Sequence, residues 1–134
     1  MKVKICGLTT TDQVKTCINN GANYCGFILN YPKSHRYIQF AKAKELTNIK
    51  KINTKYVGVL VNPKNSELEK FSKLNIDYFQ IYGNFHHKSI LEIRNKFKKK
   101  IIVALQVKNR KDVMGYKEFQ SIADIILWDS SGLE

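Results

Sequence analysis

The sequence predicts an α/β domain built on a parallel sheet, and three observations carry that reading. Short apolar runs recur roughly every 20 to 30 residues along the 134-residue chain. A stretch with helical periodicity separates each pair of runs, and most of the runs are continuously apolar instead of alternating. Continuous runs belong to strands buried on both faces, and the helical intervals supply the right-handed crossovers that parallel neighbours need. The length suits one domain, residues 1–134, and 43% apolar content suits a globular chain with a real core.

The first strand is Lys2-Val3-Lys4-Ile5-Cys6, with Val3 and Ile5 on one side and the lysines on the other. It ends on Cys6, and Gly7 then lets the backbone turn sharply. Thr10 with Gln13 three residues on fits a capping box, so a helix opens near Thr11. Val14, Cys17 and Ile18 form its apolar face, and Gly21 follows it. The second strand is Asn23 to Leu29, in which Cys25, like Cys17 before it, reads as a small buried side chain. The loop Asn30 to Ile38 is polar, contains Pro32, and is too long for a bare connection, which makes it a candidate binding loop.

A helix is expected from Phe40 to Lys51, then a strand Tyr56 to Val61 stopped by Asn62-Pro63. Asn62 or Ser66 would cap the next helix, whose Leu68, Phe71 and Leu74 share a face. Strand four is Asp77 to Ile81, followed by Tyr82-Gly83. Helix four turns Ile90, Ile93 and Phe97 inward and ends in the basic run Lys96, Lys98, Lys99 and Lys100, where cations suit the negative end of a helix. Strand five is Ile101 to Val107, a weaker helix spans Lys111 to Gln120, and strand six is Asp124 to Asp129. The chain then breaks into Ser130-Ser131-Gly132 and stops at Glu134.

Composition narrows the classes of function. No apolar run is long enough to span a membrane and no leader pattern is present, so a cytoplasmic protein is expected. Three cysteines (Cys6, Cys17, Cys25) cannot all pair and lack metal-ligand spacing, which points to reduced thiols. The net charge of +12 raises a nucleic-acid reading, but the excess is 20 Lys against 3 Arg, spread along the chain beside many Ile and Asn. That pattern fits A/T-rich codon usage with lysines on solvated faces, and nucleic acid is not expected as a partner.

Six such strands fit either an open doubly wound sheet or most of a (β/α)8 barrel. Neither G-x-G-x-x-G after strand one nor G-x-x-x-x-G-K-[ST] occurs, so the phosphate fingerprints of the doubly wound class are missing. Barrels instead gather single polar residues from several strand ends, and here those ends carry Cys6, Arg36 in the loop after strand two, Gln80 and Asp129.

These residues sit in segments that resemble the phosphoribosylanthranilate isomerases, (β/α)8 barrels of tryptophan biosynthesis. Lys4-Ile5-Cys6-Gly7-Leu8-Thr9 is similar to the family's opening motif, and Gly21-Ala22-Asn23-Tyr24-Cys25-Gly26-Phe27-Ile28 to its G-A-D-x-x-G-F-I/V segment. Ser34-His35-Arg36, Val57-Gly58-Val59-Leu60-Val61-Asn62 and Ile126-Leu127-Trp128-Asp129-Ser130 follow in the family's order. The resemblance implies an Amadori rearrangement of N-(5-phosphoribosyl)anthranilate to 1-(2-carboxyphenylamino)-1-deoxyribulose 5-phosphate, with no cofactor. It implies that Cys6 is the general base, Asp129 the general acid, Arg36 the clamp on the anthranilate carboxylate, and Gln80 and Tyr82 substrate-binding residues. The base must be a thiolate, for which Arg36 and any nearby lysine would supply positive surroundings. The acid must hold a proton, which an apolar strand end beside Trp128 would favour.

Two departures from the family pattern matter. Strand four reads Phe79-Gln80-Ile81-Tyr82-Gly83, with Tyr82 where the family carries histidine, so a hydrogen-bonding role survives better than a titrating one. A (β/α)8 barrel needs about 200 residues or more, so no residue here is assigned to phosphate binding. Three explanations stay open: a piece of a longer product, completion by another chain or a second copy, or a short relative. The first is favoured, with little activity expected of this chain alone. The runner-up function is a non-catalytic basic protein using Lys96 to Lys100 and Lys108 to Lys111 against nucleic acid, and a third is a different barrel isomerase.

Overall fold

The structure is a computed structural model that describes residues 1–130, so the Ser131-Gly132 turn and the chain end at Glu134 lie outside the described residues. Strands and helices alternate: β1 (Lys4–Cys6), α1 (Thr11–Asn19), β2 (Tyr24–Ile28), α2 (Phe40–Thr47), β3 (Lys55–Val61), α3 (Asn65–Phe71) and β4 (Tyr78–Tyr82). They continue with α4 (His87–Phe97), β5 (Lys100–Gln106), α5 (Arg110–Met114), a 3-10 turn (Gly115–Glu118) and β6 (Ile125–Asp129). Among the described residues no helix is long and apolar enough to cross a membrane.

All six strands are parallel and lie in the order β1-β2-β3-β4-β5-β6. When each strand pairs with the next in sequence and every crossover is right-handed, all the helices fall on one face of the sheet. The sheet curls away from them into a half-barrel with a concave inner face. Accordingly there are two kinds of core. Val14, Phe27, Leu46, Tyr56, Leu68 and Ile90 belong to the layer between sheet and helices. On the concave face, Val57, Tyr78 and Ile102 form a lower cluster and Ile28, Val59, Tyr82 and Ala104 an upper one. Tyr24 and Tyr78 meet edge-on at 5.7 Å between ring centroids although β3 separates their strands, as curvature requires.

The local signals at the first helix hold in detail. Thr10 accepts from the Gln13 amide at 3.2 Å, Gln13 Oε1 accepts back from the Thr10 amide at 3.3 Å, and Gly21 takes a φ of 78° just past the helix end. Cys25 is fully buried, and burial first, then the neighbouring Cys17, push its thiol up to about 12, so it is inert packing.

Three expectations are corrected. Helix α2 stops at Thr47, short of Lys51, because the Tyr56 hydroxyl donates to the Ile49 carbonyl at 2.7 Å and draws the chain out of the helix. Neither Asn62 nor Ser66 caps α3. The Asn62 amide donates to the Tyr82 carbonyl, and Glu67 accepts the Lys64 amide at 2.9 Å. The segment 111–120 is not one helix: Asn109 and Asp112 cap a single α-turn and a half, and from Gly115 it tightens into 3-10 geometry.

A repeated device, not anticipated from the sequence, ties the strand starts together. The residue just before each even-numbered strand is Asn or Asp, and its side chain accepts the first amides of the preceding odd-numbered strand. Asn23 accepts from the Val3 amide at 2.7 Å, Asp77 from Tyr56 at 2.8 Å and Asp124 from Ile101 at 2.8 Å. Lys51 pairs with Asp77, and Arg94 with Asp124 at 2.9 Å.

Asp77→Ala leaves the Tyr56 amide and the Lys51 ammonium without their acceptor and is expected to lower stability by about 1–3 kcal/mol, read from urea midpoints. The pH response of the third stitch follows from its charge balance. Burial pushes the Asp124 carboxyl up, but the Arg94 hydrogen bond, the Ile101 amide and the charges of Arg94 and Lys100 outweigh it and hold the group below its usual range. A depressed folded value means that the contribution is complete above the unfolded value of about 3.9 and is lost as pH falls through the lower folded one. The stability gap between the protein and Asp124→Asn should therefore be level from neutral pH down to about pH 4 and shrink below it. A gap that persists unchanged to pH 2 would rule out ionisation as its source.

Candidate active site

Parallel strands in this order bring all their carboxyl ends to one rim, and the residues singled out from the sequence form two bonded groups, Cys6 with Arg36 and Gln80 with Tyr82 and Asp129. Lys4 and Cys6, two apart on β1, share the concave face, and Cys6 packs against the upper cluster formed by Ile28, Val59, Tyr82 and Ala104. Alternation therefore leaves Val3 and Ile5 on the outer side, where they are 39% and 40% exposed. The strand's apolar residues face away from the site and a lysine faces it.

Glycine makes room for this arrangement twice. A Cβ on Gly26 of β2 would lie 2.9 Å from Cys6 Sγ and 3.2 Å from Lys4 Nζ, which keeps the sulfur and the ammonium within about 6 Å of each other. Gly7, with a φ of 79°, lets the Arg36 side chain lie flat across the backbone, where a Cβ would meet Arg36 Cδ at 2.7 Å. From there Arg36 Nη1 donates to the Cys6 carbonyl at 2.9 Å, so the loop after β2 is bound back to the end of β1. Arg36 is otherwise exposed, and its guanidinium keeps donors to spare.

On the other side of the rim, Asp129 is the last residue of β6 and its Oδ2 accepts from the Tyr82 hydroxyl at 2.9 Å. Tyr82 is the last residue of β4, and its hydroxyl in turn accepts from Gln80 Nε2 at 3.2 Å. Burial above all, then the hydrogen bond and charge of Asp129 and the nearby Cys6, raise the Tyr82 hydroxyl far above its ordinary value, only partly countered by Gln80. Tyr82 thus remains a neutral hydroxyl, bonded to the Asp129 carboxyl and within electrostatic range of the Cys6 thiol. Gln80 is 1% exposed and reaches the rim only through Tyr82.

Trp128 does not cover Asp129. Adjacent strand residues face opposite ways, and Trp128 is 46% exposed with its ring edge-on to Tyr116 at 5.8 Å. The side chain set directly against the carboxyl is Tyr82. Beside it a cavity of about 550 Å³ opens at the ends of β3, β4 and β5, lined by Tyr31, Val61, Tyr82, Ala104, Gln106 and Lys108 among others, a size suited to a small molecule. Among the described residues no group of three His, Cys, Asp or Glu side chains could hold a metal ion.

Sequence reasoning singled out Cys6, Arg36, Gln80, Tyr82 and Asp129 but not Lys4 or Gly26, and it held Tyr31 only as part of the loop Asn30 to Ile38 and Lys108 only as part of a basic run. Lys4 was legible, since period 2 puts it on the same face as Cys6. The other three depend on cross-strand register and loop path, which no local pattern encodes. Of the basic run, Lys96 pairs with Glu69 at 3.0 Å and Lys99 donates to the Ile76 carbonyl at 2.8 Å, both away from this rim.

Comparison with known proteins places the chain in one family. The pattern of the family described as N-(5'phosphoribosyl)anthranilate (PRA) isomerase matches residues 3–133. The N-(5'-phosphoribosyl)anthranilate isomerase of Zymomonas mobilis is 34% identical over 97% of this chain and 62% of its own length, and that of Streptococcus gordonii 35% over 96% and 61%. The chain thus spans about three fifths of the length of these relatives. Among solved structures, a phosphoribosyl anthranilate isomerase in complex with reduced 1-(o-carboxyphenylamino)-1-deoxyribulose 5-phosphate superposes with a TM-score of 0.82 at 28% identity, covering 96% of this chain and 64% of its own. A monomer made from the dimeric Thermotoga maritima enzyme gives 0.85 at 28% identity, covering 96% and 63%. The half-barrel described above is part of a barrel-type fold shared with these structures, and the chain belongs to the N-(5'-phosphoribosyl)anthranilate isomerase family.

Proposed function

We propose that the rim carries the acid–base pair of a phosphoribosylanthranilate isomerase, acting on N-(5'-phosphoribosyl)anthranilate. The observation that supports this reading is that one buried residue, Tyr82, bonds through its hydroxyl to Asp129 at the end of β6 and shares a cluster with Cys6 at the end of β1. The sugar would lie between them. Asp129 gives its proton to the ribose ring oxygen, the C1′–O bond breaks, and the anthranilate nitrogen lone pair forms the C1′=N Schiff base. Cys6, as thiolate, removes the proton from C2′, and the electron pair moves to give the enolamine. Tautomerisation places a proton on C1′ and leaves a ketone at C2′, so the product is an isomer of the substrate and no electrons leave the system.

Each remaining residue has a part in that scheme. Lys4 Nζ, close to Cys6 Sγ around Gly26, supplies the positive surroundings that a thiolate base needs. Arg36, anchored through the Cys6 carbonyl, offers its outer guanidinium face to the anthranilate carboxylate, a planar pairing that guanidinium suits. A soluble, self-associating state belongs to the same reading. The outer side chains of β1 and β6 leave Val3, Ile5 and Trp128 exposed at the two ends of the sheet, and one solved relative is described as dimeric.

Consumption of N-(5'-phosphoribosyl)anthranilate tests the roles. Cys6→Ser and Asp129→Asn should each lower kcat by about a hundredfold or more, the usual scale for general acid–base groups. Full activity in both variants would end the assignment. Gly26→Ala tests the packing behind the base: its methyl group must displace Cys6 Sγ or Lys4 Nζ. A kcat loss of at least about tenfold is expected with the fold intact by circular dichroism.

A further inference from the structure

The Gln80–Tyr82–Asp129 line contains an unused atom that the scheme above does not explain. Gln80 Oε1 is buried and has no hydrogen-bond partner among the described residues, although the Nε2 end of the same amide is bonded to Tyr82. A hydroxyl has one hydrogen and two lone pairs, and an ionised carboxylate can only accept. With Asp129 ionised, the hydrogen of Tyr82 must point at Oδ2, and Gln80 must present its N–H to the hydroxyl oxygen.

When Asp129 holds a proton on that oxygen the roles reverse. Tyr82 then accepts from the carboxyl group, and its own hydrogen needs a new acceptor. Gln80 is 1% exposed and Tyr82 7%, and the Gln80 amide, already bonded to the hydroxyl, is the side chain placed to take that hydrogen. An amide turned end for end keeps its shape and volume and offers Oε1 in place of Nε2. Because the far end of this amide is idle, the turn breaks no other hydrogen bond.

We propose that Gln80 and Tyr82 form a relay that follows the proton on Asp129: the Tyr82 hydroxyl donates to the ionised carboxylate and accepts from the protonated acid, and the Gln80 amide turns over to match. The proposal rests on reading Asp129 as the acid. Gln80 and Tyr82 are positioning residues here, and no proton is transferred along the line; the O–H bond of Tyr82 rotates. As Asp129 gives up its proton, a hydrogen-bond donor swings onto the new charge, so the carboxyl group is supported before and after the step. A donor fixed by the fold would favour the ionised form throughout and oppose the holding of the proton.

Other charged or titratable groups around the line come from each neighbouring element. Cys6 of β1 acts on the Tyr82 hydroxyl, Tyr31 of the loop after β2 lines the adjoining cavity, and Lys108 and Asp112 line it from the β5–α5 side. Arg36 lies beyond Cys6, bonded to its carbonyl. Gln80 itself is flanked in the sheet by Val59 and Ile102, which neither titrate nor bond to its side chain.

The test is a pH titration of the 134-residue chain followed by the side-chain amide resonances of Gln80 in nitrogen-15 spectra, assigned by their loss in Gln80→Asn and independently in Gln80→Met. The proposal expects one sigmoidal step in these resonances, present in the protein and in Cys6→Ser and absent in Asp129→Asn and Tyr82→Phe. Resonances that do not move with pH, or a step that survives in Asp129→Asn, overturn it. A second arm measures kinetics: Gln80→Met should lower kcat at least fivefold with KM within twofold, and an unchanged kcat also overturns the relay. The two readings fail separately. An inactive Asp129→Asn with immobile Gln80 resonances sinks the relay alone, whereas a step in the resonances with full activity in Asp129→Asn leaves the relay standing and removes the acid from Asp129.

Discussion

Everything at the rim depends on one constraint, the pairing of each strand with its successor in the same direction. Sequential parallel pairing forces every crossover to the same side, so one face of the sheet is given to helices and the other is left to close on itself. That is why Cys6 and Asp129, 123 positions apart in the chain and on the first and sixth strands, end up on the same rim. It also explains why two side chains on nonadjacent strands, Tyr82 and Asp129, are within 2.9 Å: curvature brings β4 and β6 closer across the concavity than they lie along the sheet.

The pairing is held from below as well as from within. Asn23, Asp77 and Asp124 use the same geometry at three successive even strands, each taking an amide from the strand before it. A parallel ladder leaves its first amides without ladder partners, and an Asx residue at this position supplies an acceptor without interrupting the strand that follows. Lys51 and Arg94 add charge to two of the three. The candidate site thus gathers at one end of the strands and these stitches at the other.

Much of this was legible in the residues. Run length and spacing supplied the alternation of strands and helices, the Thr10–Gln13 pair marked α1 to the residue, and the strand-end positions of Cys6 and Asp129 were visible before any coordinates. What local pattern could not supply was direction across the sheet. Val3 and Ile5 read as the strand's apolar side, but they sit on the outer face, because the concave side of β1 is used for Lys4 and Cys6. Trp128 read as cover for its neighbour Asp129, although alternation sends it to the opposite face. The end of α2 coincides with a contact from Tyr56, on the strand that follows, which local propensity does not encode, whereas α3 is capped locally by Glu67 on the Lys64 amide.

The substitution of tyrosine at position 82 shows how a single departure from the family pattern is absorbed. Imidazole carries two ring nitrogens and can donate from one while accepting at the other, so it needs little help to face a carboxyl group in either protonation state. A phenol has one hydrogen to place and, buried as Tyr82 is, stays neutral. Its ability to face both forms of Asp129 then depends on what lies on its other side. In this chain that neighbour is an amide, an uncharged side chain that presents a donor at one end and an acceptor at the other, with its second atom left without a partner among the described residues. The orphaned oxygen of Gln80 is thus better understood as the unused half of a reversible contact than as a packing defect, and the exchange of histidine for tyrosine moves the choice of donor from one ring to a pair of residues.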